Sequence, residues 1–313
     1  MQSSSTQASP NEDLRLETQR GLVVRVTLSS RSEIVTRFYE GYDRAFVLPN
    51  EKEELSGFIE CLALNEGDAH QALVKRFGPF RELVLIAETS AGDLIGGANF
   101  ITFPLANGRL CSNLNYIYVQ PQQRRRGYFS SLVAAVDEVA RYVFAGQSDA
   151  RPLVFIEQND PVCMSREDYA RDSERTGLDQ IERIAIWAKL GARVVDFAYV
   201  QPALSENQEA DRGLVYSVLG AGGSSLSACL LRDHLERFFA ISVLKGRGLD
   251  TSSEAQAQIV ELSQRCAAQQ QIALLDPARA LARLRQREVH GVNSGRLTLR
   301  ALIEQSREDG WAG

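Results

Sequence analysis

The continuous, β-branched apolar run Leu22–Leu28, set between Gly21 and Ser29, predicts a strand. Helical periodicity follows over Glu33–Phe46 and Glu51–Leu64, with Pro49-Asn50 as the break and cap between them. Leu83–Thr89 and Leu94–Phe103 predict two strands around Ser90-Ala91-Gly92-Asp93, a hairpin turn signal. Asn113–Val119 predicts another, ending at Pro121. In Gly127–Phe144 the apolar residues Phe129, Leu132, Val133, Val136, Ala140 and Val143 share one helical face. Leu153–Ile156 predicts a strand, Asp160–Thr176 a polar loop with a helical piece, and Asp179–Leu190 a helix stopped by Gly191. Arg193–Val200 and Leu214–Leu219 predict two more strands.

Ala221-Gly222-Gly223-Ser224-Ser225 marks a boundary. Beyond it, Leu226–Leu244, Ser253–Leu275, Pro277–Val289 and Arg296–Glu308 all predict helix, with Asp276-Pro277 as a capped start. The first of these carries a broad, largely apolar face through Leu230, Leu231, His234, Leu235, Phe238, Phe239, Ser242 and Val243, which must be buried somewhere. The expected organisation is a disordered tail at 1–20, an α/β domain at 21–222 and an all-helical extension at 223–313.

Composition narrows the function classes. The chain has 313 residues, 44% of them hydrophobic and 24% charged, an ordinary globular mixture. A net charge of −5 argues against binding nucleic acid by bulk positive charge. The basic cluster Arg279, Arg283, Arg285 and Arg287 does not change this, because residues 227–313 hold 12 basic and 10 acidic side chains. No apolar run approaches the roughly 20 residues of a membrane helix, and the first 20 residues lack the apolar core of a signal peptide. The five cysteines, at 61, 111, 163, 229 and 266, form no CxxC pair, so no metal site is expected. They predict buried thiols in a reducing compartment, hence a cytoplasmic protein.

The informative stretch is Tyr116–Leu132: a strand, a turn with Arg124, Arg125, Arg126 and Gly127, then an amphipathic helix. A helix start presents unpaired N–H groups and the positive end of the helix dipole, a place for an anion such as a pyrophosphate. Gly127 removes a side chain where a phosphate would approach the backbone. A GxGxxG or Walker pattern is absent, which excludes those readings here. The rival reading is a solvated basic turn.

With Val119-Gln-Pro121, Arg124-x-x-Gly127-x-Phe129 and, downstream, Ile186-Trp187-Ala188-Lys189-Leu190-Gly191-Ala192, the sequence resembles the GCN5-related N-acetyltransferase (GNAT) superfamily over about 21–220. The resemblance implies a GNAT-like mixed, twisted sheet flanked by helices. It implies transfer of an acetyl or other short acyl group from acyl-CoA to an amine by direct attack on the thioester. The acceptor would be a small molecule or a peptide, with neither nucleic acid nor membrane as a partner, and a homodimer is left open. The backbone of Ile117, Tyr118 and Val119 would hold the pantetheine arm, and Arg124, Arg125, Arg126, Gly127, Tyr128 and Phe129 the pyrophosphate. Phe129 departs from the family's small residue. Trp187 stands where the family often has an acidic Tyr, and an indole N–H cannot serve as that acid.

An amine must lose a proton before it attacks. In the family the acyl-CoA arm lies between the strand before the turn and the strand that ends at Glu157. Glu157 is therefore the acidic candidate for the base and Asn159 a cofactor contact; Glu88 is a second acid on another strand. A structural hydrogen bond or salt link is the competing role for Glu157. Two rivals to the enzyme remain: a non-catalytic acyl-CoA binder, and a scaffold whose tail binds a protein partner.

Overall fold

A computed structural model describes residues 13–46, 48, 52–145, 151–205, 208–286 and 297–308. The class is α/β. The chain divides into two compact units, and both are assembled from distant stretches of sequence.

The first unit holds residues 1–46, 52–154 and Arg237–Gly248. Its elements are β1 (Leu14–Glu17), β2 (Val23–Thr27), α1 (Glu33–Ala45), α2 (Leu55–Ala63), α3 (Gly67–Phe77), β3 (Arg81–Glu88), β4 (Leu94–Pro104), β5 (Leu110–Val119) and α4 (Tyr128–Val143). The five strands run antiparallel in chain order. The strand β1 corrects part of the expected disordered tail, since Leu14 and Leu16 pair with Val26 and Val24. The helix expected over Glu51–Leu64 is shorter, and α3, which the sequence did not signal, follows it. Ser32 caps α1 by accepting from the Ile34 N–H at 3.2 Å. That helix then lays Ile34, Val35, Phe38 and Tyr42 on β3 and β5, against Val84, Ile86 and Tyr118. Each such apolar side chain contributes about 1.5–3 kcal/mol by leaving water.

Gly96 of β4 shows how tight this layer is. A Cβ there would lie 2.2 Å from the Tyr118 carbonyl oxygen and 3.0 Å from Leu132 of α4. The β4–β5 register shifts between Asn99, opposite Tyr116, and Phe100, opposite Leu114, so Asn115 is an extra residue on β5. Its Nδ2 donates to Asn99 Oδ1, and Asn113 Nδ2 donates to Asn115 Oδ1, both at 3.0 Å. Asn113 and Asn115 thus fill a hydrogen-bonded ladder at the bulge.

The second unit holds residues 47–51, 155–236 and 249–313. Strand β6 (Leu153–Asn159) leads into it, followed by α5 (Arg166–Thr176), α6 (Gln180–Lys189), β7 (Arg193–Val195), β8 (Leu214–Leu219), β9 (Ser225–Ser227), α7 (Ala228–Phe238), α8 (Ser253–Ala267), β10 (Gln271–Leu275), α9 (Ala278–Gln286) and α10 (Leu299–Glu308). Its strand order is β6-β8-β7-β10-β9. Strands β8, β7, β10 and β9 pair antiparallel. The extension is therefore not all-helical, because β9 and β10 lie where helix was expected. Ala268 ends α8, Gln269 takes a positive φ of 54°, and the chain then extends. The helix expected over Leu226–Leu244 starts at Ala228 and continues past Phe238 as a π-helical stretch, Phe239–Val243. The strand expected over Arg193–Val200 stops at Val195. Residues 287–289 of the third expected tail helix lie outside the described residues.

Ile181, Ile184 and Ala185 of α6 pack with Val194, Leu275, Leu281, Leu299 and Ile303. Asp160 ties this unit's beginning to its end: one carboxylate oxygen accepts from the Val162 N–H at 2.9 Å and the other from the Leu299 N–H at 2.8 Å. The 222/223 position expected as a boundary lies inside this unit.

Candidate functional site

Strand β5 delivers the chain to Gln120, whose N–H donates to the Ile95 carbonyl at 2.9 Å. Pro121–Gln123 form one 3-10 turn. The next residues set the geometry of the turn. Arg125 and Gly127 both have positive φ, 61° and 81°, and Gly127 is the N-cap of the 16-residue α4. Left-handed residues alternating with ordinary ones allow successive N–H groups to share one side, which makes an anion-binding concavity. A Cβ added at Gly127 would meet no atom within 4 Å, so the space before the helix start is open. Arg125 and Arg126 are exposed. Arg124 turns back, its Nε donating to the Val119 carbonyl at 3.2 Å, and Arg126 donates to Gln123 Oε1 at 3.3 Å. The helix start is fixed by the Gly127 carbonyl, which accepts from Ser130 Oγ at 2.9 Å and the Ser131 N–H at 3.3 Å.

Other side chains of this stretch belong to the core. Tyr118 is buried and donates its hydroxyl to the Phe38 carbonyl at 2.8 Å; burial pushes its phenol well above the usual tyrosine range. Val119 is also buried, while Ile117, Tyr128 and Phe129 are half-buried. Any contribution of Tyr118 to a ligand would come from its main chain.

In the second unit Glu157 is half-buried near the end of β6. The Tyr199 hydroxyl donates to its carboxylate. Burial, with the neighbouring Glu157 charge, pushes the Tyr199 phenol well above its ordinary value, so it is a neutral donor. Tyr199 stacks on Tyr216 at 4.4 Å between centroids and 13° between planes. The Tyr216 hydroxyl is 2.8 Å from His234 Nε2, and that imidazole stacks on Phe155 at 3.9 Å. Glu157 therefore heads a buried polar and aromatic row, Tyr199, Tyr216 and His234. No short motif in the sequence links positions 199, 216 and 234, so the row is not legible from sequence as Glu157 is.

Other polar and aromatic groups have the following surroundings. Glu88 pairs with Arg25 at 3.4 Å and Arg37 at 3.5 Å. His70 contacts Arg81 and the Leu64 carbonyl, each at 2.9 Å; burial, with the Arg81 charge, lowers its proton affinity. Trp187 is buried on α6, and Asn159 is buried at the end of β6. On α5, Arg171 pairs with Glu167 at 3.1 Å and Asp168 at 3.2 Å, as on a solvated helix face. Arg287 of the basic cluster lies outside the described residues. Among the described residues no cluster of His, Cys, Asp or Glu could hold a metal ion, and no helix is long and apolar enough to cross a membrane.

The expectation of five thiols is corrected. Cys229 and Cys266 form a disulfide, while Cys61, Cys111 and Cys163 take part in none.

No protein-family model matches this sequence, and no curated protein matches it. Among solved structures, the chain is similar to the ribosomal-protein-S18-alanine N-acetyltransferase from Escherichia coli, at 16% identity and TM-score 0.34, over 65% of this chain and 98% of that one. It is similar to Naa50 from Arabidopsis thaliana, in complex with a CoA-containing bisubstrate analogue, at 9% identity and TM-score 0.34, over 63% and 99%. It is also similar to an acetyltransferase from Bacillus subtilis in complex with CoA, at 16% identity and TM-score 0.28, over 50% and 88%.

Proposed function

We propose that this chain is a GNAT-type N-acyltransferase that moves an acetyl or other short acyl group from acyl-CoA to an amine of a small molecule or peptide. The observation that carries the reading is the turn between β5 and α4: positive φ at Arg125 and Gly127, an open approach at Gly127, and a helix start flanked by arginines. Such a turn suits a pyrophosphate through N–H groups, dipole and charge together. Arg125 and Arg126 supply charge from outside, while Arg124 shapes the turn through Val119. The main chain of Ile117–Val119 is proposed to receive the pantetheine arm and polarise the thioester carbonyl.

Glu157 is proposed as the proton acceptor for the incoming amine, with Tyr199 holding its carboxylate. Direct attack needs no enzyme nucleophile. The amine nitrogen forms a bond to the carbonyl carbon, the C–S bond breaks, and CoA leaves as a thiolate. Trp187 is buried and lacks an acidic proton, so it does not protonate that thiolate. Asn159 is kept as a proposed cofactor contact. Cytoplasmic residence belongs to the same proposal, and a homodimer remains compatible with it.

A second reading, a non-catalytic acyl-CoA binder, draws on the buried Trp187. The two readings separate in one experiment. Acetyl-CoA is incubated with the chain and a broad amine panel, and free thiol is followed. Amine-dependent thiol release supports the enzyme. Binding without release supports the binder, and absence of binding removes both.

A further inference from the structure

We propose that the Cys229–Cys266 disulfide is a thiol–disulfide exchange site for small thiols, with Cys229 as the attacked sulfur and Cys266 as the leaving sulfur. The two cysteines differ in surroundings. Cys229 is the second residue of α7 and half-buried, and its N–H donates to Ser227 Oγ at 3.2 Å. Cys266 is in the last turn of α8 and only 9% exposed. An incoming thiolate therefore meets Cys229 first. Arg232, one helical turn after Cys229, places its Nη1 3.4 Å from Cys266 Sγ, while its Nε and Nη2 bond Asp233 Oδ1 at 2.9 and 2.6 Å. Asp233 fixes the guanidinium and takes up part of its charge. An Nη1 N–H points at the sulfur that must carry the negative charge on leaving, which offsets the unfavourable C-terminal end of α8.

A thiolate forms a bond to Cys229 Sγ, the Cys229–Cys266 bond breaks, and its electron pair goes to Cys266 Sγ beside Arg232. A second thiol then attacks the mixed disulfide, leaving Cys229 as thiolate and the two small thiols joined as a disulfide. Two electrons pass from the thiol reductant to the protein, and the reverse reaction uses an oxidised small disulfide. The cross-link spans a sequence separation of 37, and the loop it closes includes Arg237–Gly248, the stretch that the first unit takes from the tail. Reduction lifts the constraint on that loop. A disulfide open to small thiols is also compatible with a reducing compartment, where lasting disulfides are uncommon.

The test treats the full-length, air-oxidised chain with millimolar reduced glutathione without denaturant. Exchange is quenched with acid, free thiols are alkylated, and peptides are mapped by mass. Glutathione on Cys229, with Cys266 alkylated, is the expected result. Dithiothreitol should then expose both thiols while circular dichroism stays native. Arg232→Gln should slow the reduction severalfold, and Arg232→Lys should restore it. Resistance of the bond until the chain is denatured would overturn the proposal. So would glutathione on Cys266, or a wild-type rate in a folded Arg232→Gln variant. The position of glutathione in the unsubstituted chain does not depend on how any variant folds.

Discussion

Gly127 combines two demands, a positive φ of 81° and an open approach, and only the second concerns a ligand. Gly127→Ala costs about 1–2 kcal/mol for the left-handed backbone and places a methyl group in the approach. CoA affinity should drop at least about tenfold, or about 1.4 kcal/mol, while thermal unfolding moves little. Unchanged affinity in a folded variant would remove this turn as the phosphate site. For Glu157→Gln, a rate loss of about a hundredfold or more is expected in an amine-dependent thiol-release assay. Tyr199→Phe removes only the hydrogen bond that holds the carboxylate, so a loss nearer tenfold is expected. Equal rates in all three proteins would exclude Glu157 as the base. The turn was legible because its information is local: one glycine and three arginines between a strand and an apolar helical stripe. Tyr199, Tyr216 and His234 were not, because their partners lie 42 and 18 positions away and aromatic strand residues look like core.

Arg237–Gly248 is a stretch of the tail that belongs to the first unit. Sequence periodicity gave its apolar face, but not the polar contacts it makes within the first unit. Ser242 Oγ bonds the fully buried carboxyl of Glu82, the Cys61 thiol donates to the Ser242 carbonyl at 3.3 Å, and Lys245 pairs with Glu53 at 3.0 Å. Arg237 Nε donates to the Phe77 carbonyl at 2.7 Å. Burial pushes the Glu82 carboxyl up to about 7, only partly offset by its bond to Ser242. A raised carboxyl binds its proton more tightly in the folded than in the unfolded chain. Its contribution is complete below the ordinary carboxyl range and is lost as pH rises to about 7. Stability should therefore fall across that window, and Glu82→Gln should flatten the profile; a profile equally steep in the variant would assign the pH effect elsewhere. The misread elements share a physical cause. Between α8 and β10 the sequence Ala268-Gln-Gln-Gln-Ile272 has no Gly or Pro, and glutamine is a good helix former. Pairing of Leu274 and Leu275 with Val195 and Val194 overrides that local preference.

For the whole molecule, the Gly/Ser-rich stretch after Leu219 looked like a domain boundary because such composition marks linkers. Structurally it is a connection inside the second unit, which takes its apolar cluster from both sides. Ending the chain at Gly223 would remove β10 from β7, Leu299 from Asp160 and Ser242 from Glu82. Such a protein should be insoluble or unfold far below the full chain, and a soluble, equally stable fragment would make the tail an independent module. The α/β class was legible because periods of 2 and 3.6 alternate clearly along the first 220 residues; the discontinuous units were not, because they depend on long-range pairing. The most direct test of the acyltransferase reading is calorimetric titration of the full-length chain with acetyl-CoA, repeated with Gly127→Ala. Saturable micromolar binding to the wild-type chain, weakened at least about tenfold by the substitution, is the predicted result. A folded chain that shows no heat of binding at millimolar acetyl-CoA would contradict it.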